Sequence, residues 1–443
     1  MKKLLLSLCV LASTLAANAY DFAVDGIYYN DLNYSVRVRM VEYVVAAVTY
    51  KDTNYKSYSG EVTIPSTVTL GGKKYLVQQI GANAFRNCTD LTSVKYDGIN
   101  IRSIGECAFY NCTSLASLFS LDHVDTVGKH AFYNCQAMTE FDGVDNLTTI
   151  GDSAFVNCTN LKTFTFGANL ESVGTDVLAS AGRNGTAHIA CGVSVNIRNT
   201  RFSDFVIEPE CTAIPKLPTE VYNLTINNNT LTSAEYSLSH SLVEQMINEA
   251  GQTAQTTIVF NRLILGEDVV NIGTYAFSGR FATPKSLIIE GNIKTIGNSA
   301  FNETQIGEVI IPESCQSIGA LAFTNCLYLK SVTINSTTCS SARGDLTFSG
   351  CTLHTIVDHS PDGRFAKNML MGSYSDNDAQ NTQVFVWNQK AYDTYKAASY
   401  NGCRFKNVYL CGASTAKSAE DVNQDGSVDT QDVLKVYDYM KAH

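Results

Sequence analysis

The residues best placed to do chemistry lie near the end of the chain, where Asp421, Asn423 and Asp425 alternate in a twelve-residue run that closes at Asp432. Hard oxygen donors at the first, third and fifth positions suit calcium, Gly426 permits the sharp turn at the sixth, and the Ser427 carbonyl supplies the seventh. Asp429 would ligate directly or through water, and Asp432 would close the shell with a shorter arm than the glutamate usual at that position. One calcium ion is therefore expected at residues 421–432. The bland alternative is a solvated acidic tail. Against it, Val433, Leu434, Tyr437 and Met440 fall on one side of a predicted helix running to about Ala442, and Val428 would pin the loop to that helix.

The other reactive side chains form no familiar constellation. The histidines are His123, His130, His188, His240, His354, His359 and His443, and none stands in a His-Glu-x-x-His pattern. A Gly-x-Ser-x-Gly elbow, a glycine-rich phosphate loop and a recognisable Cys-His arrangement are all missing from the sequence. The chain is expected not to be an enzyme. Of the fourteen cysteines, Cys9 falls in the N-terminal apolar run, so an odd number remain after its removal. Cys88, Cys112, Cys135 and Cys158 follow one another at intervals of 24, 23 and 23, which places them in one column of a repeating core as small packed thiols. A disulfide joining Cys107 to a local thiol stays open. A zinc ribbon would need close Cys-x-x-Cys pairs.

Those intervals belong to a larger phrase. Ile80-Gly81, Ala84-Phe85 and Cys88 return as Ile104-Gly105, Ala108-Phe109 and Cys112, then from Val127 and from Ile150, with Val173-Gly174 in step after them. A second array carries Ile272-Gly273 with Ala276-Phe277, Ile296-Gly297 with Ala300-Phe301, and Ile318-Gly319 with Ala322-Phe323 and Cys326. Between phrases lie short branched or aromatic runs at 91–96, 115–119, 161–166, 287–289, 309–311 and 329–334, which read as strands. One strand per repeat, stacked on its neighbours, makes a parallel sheet. The Ala-Phe-x-x-Cys half is expected on the turn side with Phe and Cys inward, and the Gly is expected to supply the sharp turn before it.

This pattern resembles the leucine-rich repeats of bacterial surface proteins of the treponemal and oral-bacterial surface antigen type, whose units contain an Ile-Gly-x-x-Ala-Phe core. The match covers roughly residues 61 to 178 and 263 to 355. The resemblance implies a solenoid used for extracellular adhesion or recognition, and it carries over no residue-level site. The terminal loop resembles the dockerin calcium loop, which also closes with Asp and leads into a helix. A full dockerin has two such loops and this chain shows one, so a structural calcium clip is favoured over tight docking to a cohesin-like scaffold.

The remaining sequence frames these arrays. Lys2 and Lys3, the apolar run from Leu4 to Ala16 and the small-x-small triplet Ala17-Asn18-Ala19 read as a signal peptide cleaved after Ala19. The product would be secreted or held at the cell surface. A net charge of −10, with 32 basic against 42 acidic residues, argues against nucleic acid as a partner, and the sequence after the signal contains no apolar run long enough for a membrane helix. The expected organisation is residues 1–19 signal peptide, 20–75 β-rich N-terminal cap, 76–178 first array, and 179–262 irregular insert or divergent repeats. Residues 263–355 then form the second array, 356–415 trailing repeats and a C-terminal cap, and 416–443 the calcium loop and helix. Within the insert, Leu238 to Ala250 has helical spacing.

The leading functional expectation is an exported, non-enzymatic protein whose solenoid face binds a protein or glycan, with Tyr96 and Tyr110 as candidate contact residues. The principal alternative is a structural or assembly module docked through the calcium element. A carbohydrate-processing enzyme ranks third, since it would need a pair of carboxylates in a cleft. Asn-Cys-Thr triplets at Asn87, Asn111 and Asn157 arise from the repeat itself, and no glycan is assigned to them.

Overall fold

The computed structural model describes residues 19–411 except 39, 99–100, 143, 191, 194, 198, 210, 212–219, 228–257, 280–281, 342–345, 371–379 and 401. The apolar N-terminal run, the helix expected at 238–250 and the calcium loop at 421–432 lie outside the described residues. The chain divides into two compact units, residues 1–205 with 210–218, and residues 206–209 with 219–443.

In the first unit the residues just before each Gly are themselves strands. Lys73–Ile80, Ser103–Ile104, Thr126–Val127, Thr149–Ile150 and Ser172–Val173 pair in parallel, with Ile80, Ile104, Val127, Ile150 and Val173 in register. Further parallel pairing joins Gly60–Pro65 to Leu91–Asp97 and, in a separate sheet, Glu140–Phe141, Thr163–Phe166 and Thr186–Ile189 in turn; of these, Leu91–Asp97 and Thr163–Phe166 cover runs expected to be strands. Each repeat therefore contributes to two ladders, where the sequence suggested one. The run 115–119 is an exception, holding only a bridge from Ser117 to Ser93. Ahead of the first rung, Phe22–Val24, Ile27–Val38 and Val41–Thr49 run antiparallel to one another, and the last of them joins Lys73–Ile80 in parallel. The edge that a first rung would otherwise leave unpaired is thereby covered.

The Ala-Phe-x-x-Cys segments are turns whose N–H groups alternate between two destinations. Those of Asn83, Phe85 and Asn87 donate to the carbonyls of Glu106, Ala108 and Tyr110 on the next rung, at 2.9, 2.7 and 2.7 Å. Those of Ala84, Arg86 and Cys88 bond back three residues within their own rung. The alternation depends on left-handed backbone at Asn83 and Asn87 (φ 59° and 58°), repeated at Cys107 and Asn111, His130 and Asn134, and Ser153 and Asn157. Asn tolerates that region better than most residues, which accounts for its recurrence before Cys.

The Gly of each phrase has a different role from the one its sequence context suggests. Gly105, Gly128, Gly151 and Gly174 are not among the positive-φ residues. Instead, a Cβ on them would stand 2.6, 2.6, 2.4 and 2.3 Å from the backbone N of Ala82, Glu106, Lys129 and Asp152 on the preceding rung. They stack backbone on backbone. Inside the coil, Phe85, Phe109, Phe132 and Phe155 form a fully buried column with ring centroids 4.9, 5.2 and 5.0 Å apart. The neighbouring thiols are inward, as expected, and also bonded: Cys112, Cys135 and Cys158 donate through Sγ to the carbonyls of Phe85, Phe109 and Phe132 at 2.9, 3.1 and 3.1 Å. Burial holds Cys158 up at about 12 and Cys135 well above the ordinary thiol range. The twelve cysteines among the described residues are buried.

The second unit repeats the scheme. Asn271–Ile272, Thr295–Ile296, Ser317–Ile318 and Ser340–Ser341 form one parallel ladder, and Phe277, Phe301, Phe323 and Phe348 stack at 5.5, 5.2 and 5.3 Å. The other ladder runs Glu308–Ile311, Ser331–Ile334, Thr355–Asp358, Gln383–Val386 and Asn407–Leu410. A helix, Gln389–Ala397, follows the fourth of these strands, its first turn capped by the Asn388 side chain accepting from Lys390 N.

One column of that ladder reads Ile311, Ile334, Asp358, Val386 and Leu410, so a carboxylate occupies an aliphatic site. Asp358 is 0% exposed and accepts from Ser360 N and from the hydroxyl of Tyr395 on the helix, both at 2.8 Å. It ties the helix to the coil. Burial pushes its carboxyl above the ordinary range, against the hydrogen bonds of Ser360 and Tyr395 and the nearby His359 ring, which pull it down. A raised carboxyl stabilises the fold fully below the unfolded value of about 3.9, and that contribution is lost as pH rises through the folded value. Asp358→Asn should therefore gain in urea midpoint relative to wild type as pH is raised from that range. A difference between the two that stays constant across pH would overturn this reading.

Candidate functional site

Successive rungs carry the residue after each column Phe to the same place on the surface. In the first unit these residues are Arg86, Tyr110, Tyr133 and Val156. The left-handed residue on each side lets the short turn present this side chain outward while the Phe before it points in. Tyr110 and Tyr133 are half-buried and stack with centroids 4.9 Å apart and planes 9° from parallel. The Arg86 guanidinium lies 4.9 Å from the Tyr110 ring centroid and 5.4 Å from that of Tyr55, and its Nη1 donates to Asn83 Oδ1 at 3.0 Å. Arg86 Nε is buried without a hydrogen-bond partner. The result is a strip in the order Tyr55, Arg86, Tyr110, Tyr133, with the cation held between aromatic faces.

Beside the strip runs the asparagine column. Asn111 Nδ2 donates to Asn87 Oδ1 at 3.3 Å, and Asn134 Nδ2 donates to Asn111 Oδ1 at 2.6 Å. The amide nitrogen of Asn111, which a glycan would need, is engaged in that chain of bonds. On the other flank the His130 ring meets Tyr133 edge-on at 5.7 Å. His130 joins Glu106 and Cys107 in the one group of three ligand-type residues found among the described residues, their donor atoms all within 4.8 Å of one another. Burial raises the Cys107 thiol and Glu106 raises it further, while Arg86 and Lys129 pull it down.

The two tyrosines singled out from sequence have different settings. Tyr110 is the centre of the strip. Tyr96 lies on Leu91–Asp97, where its hydroxyl donates to Val77 O at 2.8 Å and its ring meets Phe119 at 6.1 Å, so it packs one ladder against the other. Asp421, Asn423, Asp425, Ser427, Asp429 and Asp432 fall outside the described residues. Sequence reasoning missed Glu106, Cys107 and His130 as a group. The signal was present: His130 follows Cys107 at the repeat interval of 23, so writing the phrases in phase puts them in one column.

A surface depression of about 230 Å³ lies between residues 116–122 and 138–142 of the first unit. It is smaller than the roughly 300 Å³ at which small-molecule pockets begin. Among the described residues no helix is long and apolar enough to cross a membrane.

Comparison with known proteins gives one family. The model of the BspA type leucine rich repeat region matches residues 59–205 and 252–374. Three solved structures are similar. A leucine rich cell surface protein from Faecalibacterium prausnitzii is 19% identical over 69% of this chain and 90% of its own, with a TM-score of 0.27. The leucine rich repeat protein of T. pallidum is 19% identical over 47% and 89%, with a score of 0.34. A leucine-rich repeat protein from Bacteroides ovatus is 18% identical over 88% and 100%, with a score of 0.25. At these scores the family assignment rests on the repeat match alone. No curated protein matches the sequence.

Proposed function

Since the chain belongs to the BspA type leucine rich repeat family, we propose that it is exported and recognises an extracellular protein or glycan through the strip centred on Tyr110. Leucine-rich repeat proteins are typically non-catalytic scaffolds, and this chain is a protein-interaction module rather than an enzyme. The observation that carries the proposed surface is the stacked Tyr55, Arg86, Tyr110, Tyr133 strip. Arg and Tyr are among the side chains most enriched in residues that dominate binding energy, and here their rotamers are ordered before a partner arrives. Export rests on the N-terminal Lys-Lys, apolar run and Ala-Asn-Ala sequence.

The test is binding of the full mature chain to immobilised extracellular-matrix proteins and to a glycan array, repeated with Arg86→Ala, Tyr110→Ala. Loss of two such anchors should weaken binding by a factor on the order of 30 or more, with the urea midpoint followed in parallel. A partner bound equally by the variant would move recognition off this strip.

A second reading rests on the sequence at 421–432. There the chain takes up one calcium ion through Asp421, Asn423, Asp425, Ser427, Asp429 and Asp432, and the element docks the solenoid to a cohesin-like or other surface scaffold. Calorimetric titration of chelator-treated protein should show about one calcium per chain, lost in Asp421→Ala, Asp425→Ala. Loss of surface association on deleting 420–443, with strip-dependent binding intact, would favour docking; unchanged association would leave the ion a local clip.

A further inference from the structure

We propose that Glu106, Cys107 and His130 form a binding site for a single zinc-class divalent ion. The three are a thiol, an imidazole and a carboxylate, the donor types zinc takes, with their donor atoms within 4.8 Å of one another. Adjacent residues of an extended strand point to opposite faces and do not share a ligand. Here the left-handed backbone at Cys107 (φ 54°) breaks that alternation, and thiol and carboxylate reach one place. His130 arrives from the next rung in the same column, also left-handed at φ 54°. Rung stacking therefore sets the spacing of the donors: Cys107 N bonds to Lys129 O, the carbonyl that precedes His130, at 2.9 Å.

The same column holds Asn83 before the group and Ser153 and Asp176 after it. Elsewhere in this unit it supplies left-handed backbone and hydrogen-bond acceptors, as at Asn83, which accepts from Arg86, and Asp176, which accepts from Asn199. At Cys107 and His130 it carries two borderline-soft ligands on consecutive rungs, and the exposed Glu106 stands beside them.

Charge agrees with the donor set. A carboxylate and a thiolate together neutralise a divalent ion, and neutral imidazole completes three protein ligands with a fourth position open to solvent. A thiol ligates as the thiolate, so binding displaces its proton to solvent as the sulfur–metal bond forms. Arg86 and Lys129 face the thiol as cations, Glu106 is the anion beside it, and Asp152 lies near His130 on the following rung. Arg86 is turned onto the Tyr55 and Tyr110 rings and Asn83.

The experiment uses the full mature chain, reduced, chelator-treated and then saturated with calcium so that residues 421–432 do not compete. Zinc is titrated calorimetrically and cobalt(II) spectroscopically. One equivalent of each is expected, with proton release on binding and a sulfur-to-cobalt charge-transfer band. Cys107→Ser and Cys107→Asn, each placing a residue this column already uses, should abolish the band. His130→Asn and Glu106→Gln should each weaken zinc binding at least about tenfold. Circular dichroism and the urea midpoint establish that the variants are folded. A band of equal intensity in folded Cys107→Ser, or zinc affinity unchanged in His130→Asn, would overturn the site, as would absence of zinc binding by the folded wild type.

Discussion

Phe132→Ala should destabilise the first unit by about 3–5 kcal/mol, the cost of emptying a fully buried aromatic site that cannot collapse. The ring is 0% exposed and lies between Phe109 and Phe155 at 5.2 and 5.0 Å, with Phe141 at 6.1 Å on its flank. Collapse would need neighbouring rungs to approach, and the backbone prevents it: Phe132 N is bonded to Ala154 O and Phe109 N to Ala131 O, at 2.8 and 2.7 Å. A solenoid adds a second loss. Each rung is stable only through its neighbours, so a hole in an interior rung weakens the interfaces on both sides. Urea unfolding of Phe132→Ala beside Phe132→Leu measures this, with the leucine variant expected to recover at least about half of the lost stability by refilling most of the volume. A loss below about 1 kcal/mol for the alanine variant would mean that the stack is packing without leverage.

Gly151→Ala should be comparably damaging although it adds one methyl group. Its Cβ would stand 2.4 Å from Lys129 N and 2.7 Å from Gly128 C, atoms fixed in the parallel ladder and unable to turn aside as a side chain would. Overpacking that forces backbone to shift costs about 1–3 kcal/mol, and the upper end is expected here because no side chain can give way. Gly71 is the informative comparison: nothing lies within 4 Å of its Cβ position, but its φ is +56°. Gly71→Ala should cost only about 1 kcal/mol, from left-handed strain alone. If Gly71→Ala proved the worse of the two in thermal or urea unfolding, the glycines of the phrase would be turn residues after all.

That comparison also marks what could be read from the sequence. The recurrence of Ile-Gly, Ala-Phe and Cys gives the stacking, the inward Phe and the packed thiols, because one-dimensional repetition converts sequence spacing directly into spatial columns. It does not give the number of ladders. Ser103–Ile104 and Thr126–Val127 are two-residue strands, too short for alternation to show, and they exist only because the next rung supplies their partners. The glycine was misread for a related reason: a turn and a close backbone approach both require the absence of Cβ, and only coordinates separate them. Of the site, Tyr110 was legible as an aromatic in a repeating phrase, whereas its stacking on Arg86 and Tyr133 was not. Cys107 and His130 stood in phase all along, but as two different residue types they broke the pattern that made the other columns visible.

The thiols bonded to Phe85, Phe109 and Phe132 carry a consequence for biogenesis. A chain that crosses into an oxidising compartment does so unfolded, with every sulfur open to the wrong partner. Each rung that closes removes one cysteine from that chemistry, since a buried, bonded thiol forms little thiolate and offers no path of approach. Under the proposed export, coil closure competes with oxidation during maturation, and the faster of the two decides whether the product is native or scrambled.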